Sequence, residues 1–133
     1  MEELLWLEKE IFTSLVSSKS LLKMVNNIYT YVPENANYPF IKIGKLSKSN
    51  ILFTSATLIN AETQIEVFFD TQSNKECLAV LCLIENIFYN KKSLIEGYIS
   101  SDFIIGDASV SYLKDSKIWQ GILNFKVKMF KIH

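Results

Sequence analysis

"TQIEVFFDTQSNKECLAVLCLIENIF", residues 63–88, changes its hydrophobic period half-way, and that change decides the fold class. In residues 63–70, Ile65, Val67 and Phe69 alternate with Gln64, Glu66 and Phe68, the two-residue period of a strand with one buried face. From about 74 to 90, Cys77, Val80, Leu81, Ile84, Ile87 and Phe88 recur at three- and four-residue steps, which predicts a helix. Between the two, Ser73 and Glu76 have the spacing of a capping box, in which a hydroxyl and a carboxylate satisfy free amides at a helix start. Leu78, Ala79, Cys82 and Leu83 flank the main stripe, so this long helix is expected to be apolar around much of its circumference. Such a helix needs cover from a long segment or from another subunit. Leu78, Cys82 and Tyr89, away from the main stripe, are the candidates for a subunit contact.

Upstream, residues 2 to about 17 place Leu4, Leu7, Ile11 and Leu15 on one stripe, with Glu3, Glu10, Ser14 and Ser17 outside it. This predicts an amphipathic helix, its first turn favoured by Glu2 and Glu3 at the positive end of the macrodipole. "SLLKMV" predicts a short helical turn capped by Ser20. "IYTYV" (28–32) has the β-branched and aromatic composition of a short strand ending at Pro33, and "PENANYP" is a loop. After Pro39 alternation resumes through Ile41, Ile43 and Leu46, with imperfect register near Gly44 and no clear face for Phe40. "KLSKSN" reads as a turn or flexible segment, and residues 51–60 are of mixed character. Downstream, "GYISSDFIIGDASVSYL" and "IWQGILNFKVKMFKI" are joined by the turn-like "KDSK" (114–117) and form a hairpin, Leu123, Phe125, Val127 and Met129 facing one way and Asn124, Lys126 and Lys128 the other. The expected architecture is α+β: a two-layer domain over residues 1–133, with a largely antiparallel sheet and an N-terminal and a long second helix packed on one face.

Composition narrows the function. With 133 residues, 49% of them hydrophobic and 13% aromatic, the chain has the length and the apolar material for one core. Fourteen basic and fourteen acidic residues cancel, which removes the general attraction on which nucleic-acid binders and polybasic membrane proteins rely. The start, "MEELLWLEKEIF", carries acids where a secretory signal carries Lys or Arg, and no run approaches a membrane span of ~20 apolar residues, so a cytoplasmic protein without membrane partners is expected. Cys77 and Cys82, five apart in one helix, point in different directions and read as small apolar residues rather than a disulfide. With two cysteines and one histidine, His133, ligands for a metal site are too few; no metal or other cofactor is expected.

No catalytic constellation emerges. Glu62, Glu66, Asp70, Glu96, Asp102, Asp107 and Asp115 are available for acid–base work, but none is set beside a histidine or within a catalytic motif. There is no G-x-S-x-G elbow and no glycine-rich phosphate loop; Gly44, Gly97, Gly106 and Gly121 are scattered singly and read as bends or bulges in strands. Lys42, Lys126 and Lys128 on one sheet face, with Tyr31, Tyr98 or Tyr112 nearby, make a single-stranded nucleic-acid-binding module an alternative, since aromatics among lysines can stack bases. Solubilising, aggregation-blocking lysines account for the same pattern.

The N-terminal helix, "IYTYVPENANYPFIKIG", "TQIEVFFDTQSNKECLAVLCLIENIF" and a closing hairpin ending "GILNFKVKMF" resemble, over nearly the whole chain, the phage tail terminator (tail completion) family of long-tailed phages, prophages and gene transfer agents. The telling pieces are Val32-Pro33 followed by Tyr38-Pro39-Phe40 at a strand start, and Phe69-Asp70 followed by a polar turn into the helix. The chain departs from the family's usual basic and glycine content. The resemblance implies a structural subunit, not an enzyme, made in the host cytoplasm and incorporated in the virion at the head–tail junction. Its copies would form a ring, typically a hexamer, that caps the tail tube and joins it to the head. The partners implied are the tail tube protein and a head-completion or connector protein, with DNA passing through without sequence-specific binding. A head-completion or connector protein is the close alternative function. At the strand start, Pro39 lacks an amide donor, and Tyr38 and Phe40 can anchor the preceding loop at the sheet's rim. Glu34, Asn35, Asn37 and Tyr38 are therefore the second set of candidate contact residues.

Overall fold

The computed structural model describes residues 2–133. The elements in order are α1 (Glu2–Val16), α2 (Lys19–Leu22), β1 (Asn27–Tyr29), β2 (Phe40–Leu52), β3 (Ala56–Phe69), α3 (Lys75–Phe88), β4 (Ser100–Leu113) and β5 (Ile118–Ile132). The class is α+β. One five-stranded sheet has the order β1-β2-β3-β5-β4; β1 runs parallel to β2 and every other pair is antiparallel, so the sheet is mixed. The helix expected as the second is the third in order, and at 14 residues it is no longer than α1, which has 15.

Alternate residues of the strands and one stripe of each helix share a single core. Leu7, Ile11 and Leu15 of α1, Leu21 of α2 and Cys77, Val80, Leu81, Ile84 and Phe88 of α3 meet Ile41, Ile65, Val67, Leu123, Phe125, Val127 and Met129 of the sheet. Burial of the alternate strand residues leaves the other set, including Glu62, Gln64, Glu66, Asn124, Lys126 and Lys128, on an outward face. α3 packs directly against the sheet at Gly121: an added Cβ there would lie 2.9 Å from Cys77 Sγ, Leu81 Cδ1 and Val67 Cγ2. Gly121 thus marks a close helix–strand approach rather than a bulge, whereas Gly44 and Gly106 do lie at register shifts in β2 and β4.

Several local expectations are corrected. "KLSKSN" is strand, not turn: β2 pairs with β3 from Leu46↔Thr63 to Leu52↔Thr57, and cross-strand pairing overrides the weak strand propensity of Ser, Lys and Asn. The register shift between Ile43 and Leu46 returns Leu46, not Lys45, to the core side. β3 accordingly begins at Ala56, and β1 stops at Tyr29, leaving Tyr31 exposed beyond it. Phe40 faces away from the helices, in an aromatic cluster with Tyr29 (5.7 Å), Tyr38 (5.3 Å) and Phe68 (5.0 Å between ring centroids).

The helix caps differ too. Ser18, not Ser20, caps α2, its backbone extended and its side chain accepting from Leu21 N at 3.3 Å. The capping box at α3 does not form: Asn74 is the N-cap residue, with ψ near 3° and no side-chain cap bond. That turn-like backbone leaves the Ser73 hydroxyl one residue too early, accepting from Lys75 N at 3.4 Å. Glu3, expected outside the apolar stripe, is buried because Lys48 of β2 reaches it at 2.7 Å.

Candidate functional site

The candidate surfaces are those the core leaves uncovered. α3 buries one side only. Cys77, Val80, Leu81, Ile84 and Phe88 face the sheet, and burial pushes the Cys77 thiol up to about 11. The opposite side is open, so the cover expected for this helix is not supplied by its own subunit among the described residues. Leu78, Cys82 and Tyr89, spaced by four and seven, fall on one outward stripe, with Leu78 48% and Tyr89 71% exposed.

The second expected group lies at the entry to β2. Glu34, Asn35 and Asn37 are exposed. The loop carrying them is closed by Ala36 N donating to Pro33 O at 3.2 Å, and it ends in a cis Tyr38–Pro39 peptide bond. Asn26 holds that end twice: its Nδ2 donates to Tyr38 O at 2.7 Å and its backbone N to Pro39 O at 2.8 Å. With Tyr38 stacked on Phe40, the loop's exit is tied to the sheet by side chain and main chain together.

A third surface escaped the sequence reading. The β2–β3 hairpin ends in "ILF", residues 51–53, of which Leu52 is 73% and Phe53 56% exposed. Ile132 and Ile99 are also exposed; Ile51, Leu58 and Phe130 share one row of the outward face above them. Three consecutive uncharged apolar residues after a polar strand were the signal available, and the turn assigned to "KLSKSN" hid it.

The outward sheet face is polar at its centre. A shallow depression of about 470 Å³ is lined by Lys45, Glu62, Gln64, Asp107, Asn124 and Lys126 among others. Glutamates answer lysines across it: Lys126–Glu62 at 3.7 Å and Lys42–Glu66 at 3.8 Å, with Gln120 Nε2 donating to Glu66 at 3.0 Å. The tyrosines named with these lysines lie elsewhere. Tyr98 is buried, with Lys131 over its ring at 5.4 Å, Tyr112 packs on Trp119 at 5.0 Å, and Tyr31 projects beyond β1. The three tyrosines are therefore not gathered beside Lys42, Lys126 and Lys128.

Other polar groups have structural partners. Burial would raise the Glu3 carboxyl, but the hydrogen bond from Lys48, a backbone hydrogen bond and the charge of Lys48 outweigh it and hold it below its ordinary value. Tyr98 is pushed up to about 12, by burial first and then by the charges of Glu3 and Glu2 and a hydrogen bond to Glu3. His133 joins its ring Nε2 to Thr57 Oγ1 at 2.7 Å and donates its backbone N to Ser55 O at 2.9 Å. Among the described residues no three His, Cys, Asp or Glu side chains are grouped to hold a metal ion, and no helix is long and apolar enough to cross a membrane.

No family model and no curated protein matches the sequence. Among solved structures, the fold is similar to that of a chain in the virion of a native gene transfer agent particle, with a TM-score of 0.74 at 11% identity over 90% of each chain. It is also similar to that of the gp17 protein of bacteriophage SPP1, with a TM-score of 0.62 at 21% identity over 91% of this chain and 86% of that one. The chain thus has the fold of phage and gene transfer agent proteins, in agreement with the tail terminator family that its sequence resembles.

Proposed function

We propose that this chain is a structural virion protein, a tail terminator whose copies close into a six-fold ring on the head-proximal end of a tail tube. There the ring stops tube growth and presents the surface that joins the tail to the filled head. The observation that carries the reading is the likeness to the gene transfer agent virion chain, which extends over nine-tenths of both chains. The exposed surfaces suit it. The outward stripe of α3, the tethered loop at 34–37 and the apolar tip at 51–53 are three candidate contact elements on different parts of the fold, as a subunit touching neighbours, tube and connector requires. Helices and sheet act as two layers, the helical one carrying the outward stripe of α3 and the sheet offering its polar face. A chain with no net charge lets DNA pass without holding it, and the role involves no bond-making. The test is to produce particles lacking the chain. Overlong tubes and unjoined filled heads are expected, corrected by adding the purified protein; tails of normal length already attached to heads would refute the role.

A further inference from the structure

The sheet has two edges, and both are open. β1 covers only Phe40–Lys42 of β2, so residues 43–52 have no partner strand on that side among the described residues. On β4, Phe103 N donates to Lys91 O at 3.3 Å and Lys92 bridges to Asp102, which leaves residues 104–113 uncovered. Open edges of this length are templates for another strand, and proteins usually guard them with lysine or proline. β4 has neither anywhere along its length.

The two edges match. Each carries a glycine-containing register shift, between Ile43 and Leu46 in β2 and between Ile105 and Ala108 in β4. The shifts are level. Across the sheet Ile43 lines up with Ile65, Leu123 and Ala108, and Leu46 with Thr63, Phe125 and Ile105. Lys45 stands in the first shift and Asp107 in the second, both exposed at opposite rims of the polar depression. Lys42 and Lys48 are answered within the subunit by Glu66 and Glu3, but neither Lys45 nor Asp107 forms an ion pair among the described residues. The strand charges are opposite as well: β2 holds Lys42, Lys45 and Lys48 and no acid, β4 holds Asp102 and Asp107 and no base.

Direction completes the match. Three antiparallel steps separate β2 from β4, so the two edges run in opposite senses. A second copy set alongside in the same orientation lays its β2 antiparallel to the first copy's β4. Repeated by rotation, this is a heterologous contact of the kind that closes rings.

We propose that the open edge of β2 in one copy docks against the open edge of β4 in the next, residues 43–47 lying beside 104–108, which sets Lys45 opposite Gly106 and Asp107 opposite Gly44 and makes the two charged residues diagonal neighbours across the junction. The inference rests on the ring reading for its closure but can fail separately. The test compares wild type, K45E, D107K and the K45E/D107K double variant of the full chain by sedimentation velocity over a concentration series, with thermal unfolding to verify the fold of each. Each single reversal places like charges across the junction and should weaken self-association about tenfold, while the double variant should return to within about twofold of wild type. Added salt should weaken the wild type. Rings that form equally well with either single variant, or a double variant no better than the weaker single, would overturn the edge pairing and leave the ring standing. A chain that stays monomeric at every concentration would overturn both.

Discussion

Replacing Gly121 by alanine puts a methyl group where α3 seats on the sheet, and two effects of opposite sign compete. A glycine in a strand costs chain entropy, so alanine alone would stabilise by about 0.5–1 kcal/mol. Against this, the new Cβ would stand 2.9 Å from each of Cys77 Sγ, Leu81 Cδ1 and Val67 Cγ2. Ordinary carbon contacts fall at about 3.5–4.0 Å, so three buried atoms must each retreat by roughly 0.5–1 Å at once. Val67 is fixed directly opposite in β3, and Cys77 and Leu81 are successive turns of one helix, so relief requires α3 to lift or rotate. Overpacking of this kind costs about 1–3 kcal/mol and outweighs the entropy gain, for a net loss of about 1–2 kcal/mol. Urea unfolding followed by tryptophan fluorescence measures it as a lower midpoint at unchanged slope. Cys77→Ala removes one of the three clashing atoms, so the double variant should lose at least about 0.5 kcal/mol less than the sum of the two single losses. A G121A protein as stable as wild type, with losses that simply add, would show that α3 is not seated as described.

Glu3→Gln should destabilise by about 1–2 kcal/mol at neutral pH, less than the loss of a fully buried pair because the Lys48 side chain keeps 18% exposure. Since the folded-state value of Glu3 lies below its ordinary 4.5, the pair's contribution is present above that value and is lost as pH falls through the folded one. The gap between wild type and variant in thermal melts should therefore close on acidification; a gap independent of pH would contradict the assignment. Deleting residues 34–37 should leave the fold intact, because the six remaining linking residues have only about 8 Å to span between the paired ends of β1 and β2. Assembly or head joining should fail, and a deletion variant competent in both would remove the loop from the contact surfaces.

Local periodicity carried most of the architecture. α1, the core of β3, α3 and the closing hairpin all announce themselves by spacing, because each buries one stripe or face against the same core. What was illegible depends on distant partners. "KLSKSN" is strand because β3 pairs with it, Glu3 is buried where Lys48 reaches it from 45 residues away, and Phe40 packs on Phe68 of the neighbouring strand. The same holds for the candidate contact surfaces. The outward stripe of α3 could be read from helical spacing, but Lys45 and Asp107 become a pair of rims only once β3 and β5 set them at one level.

The central claim is that copies of this domain cover each other's open surfaces. Native mass spectrometry of the purified chain, with negative-stain imaging of the same sample, addresses it directly. A single closed oligomer with annular projections is predicted, whereas a uniform monomer at the highest attainable concentration, with no annuli in the field, would contradict it.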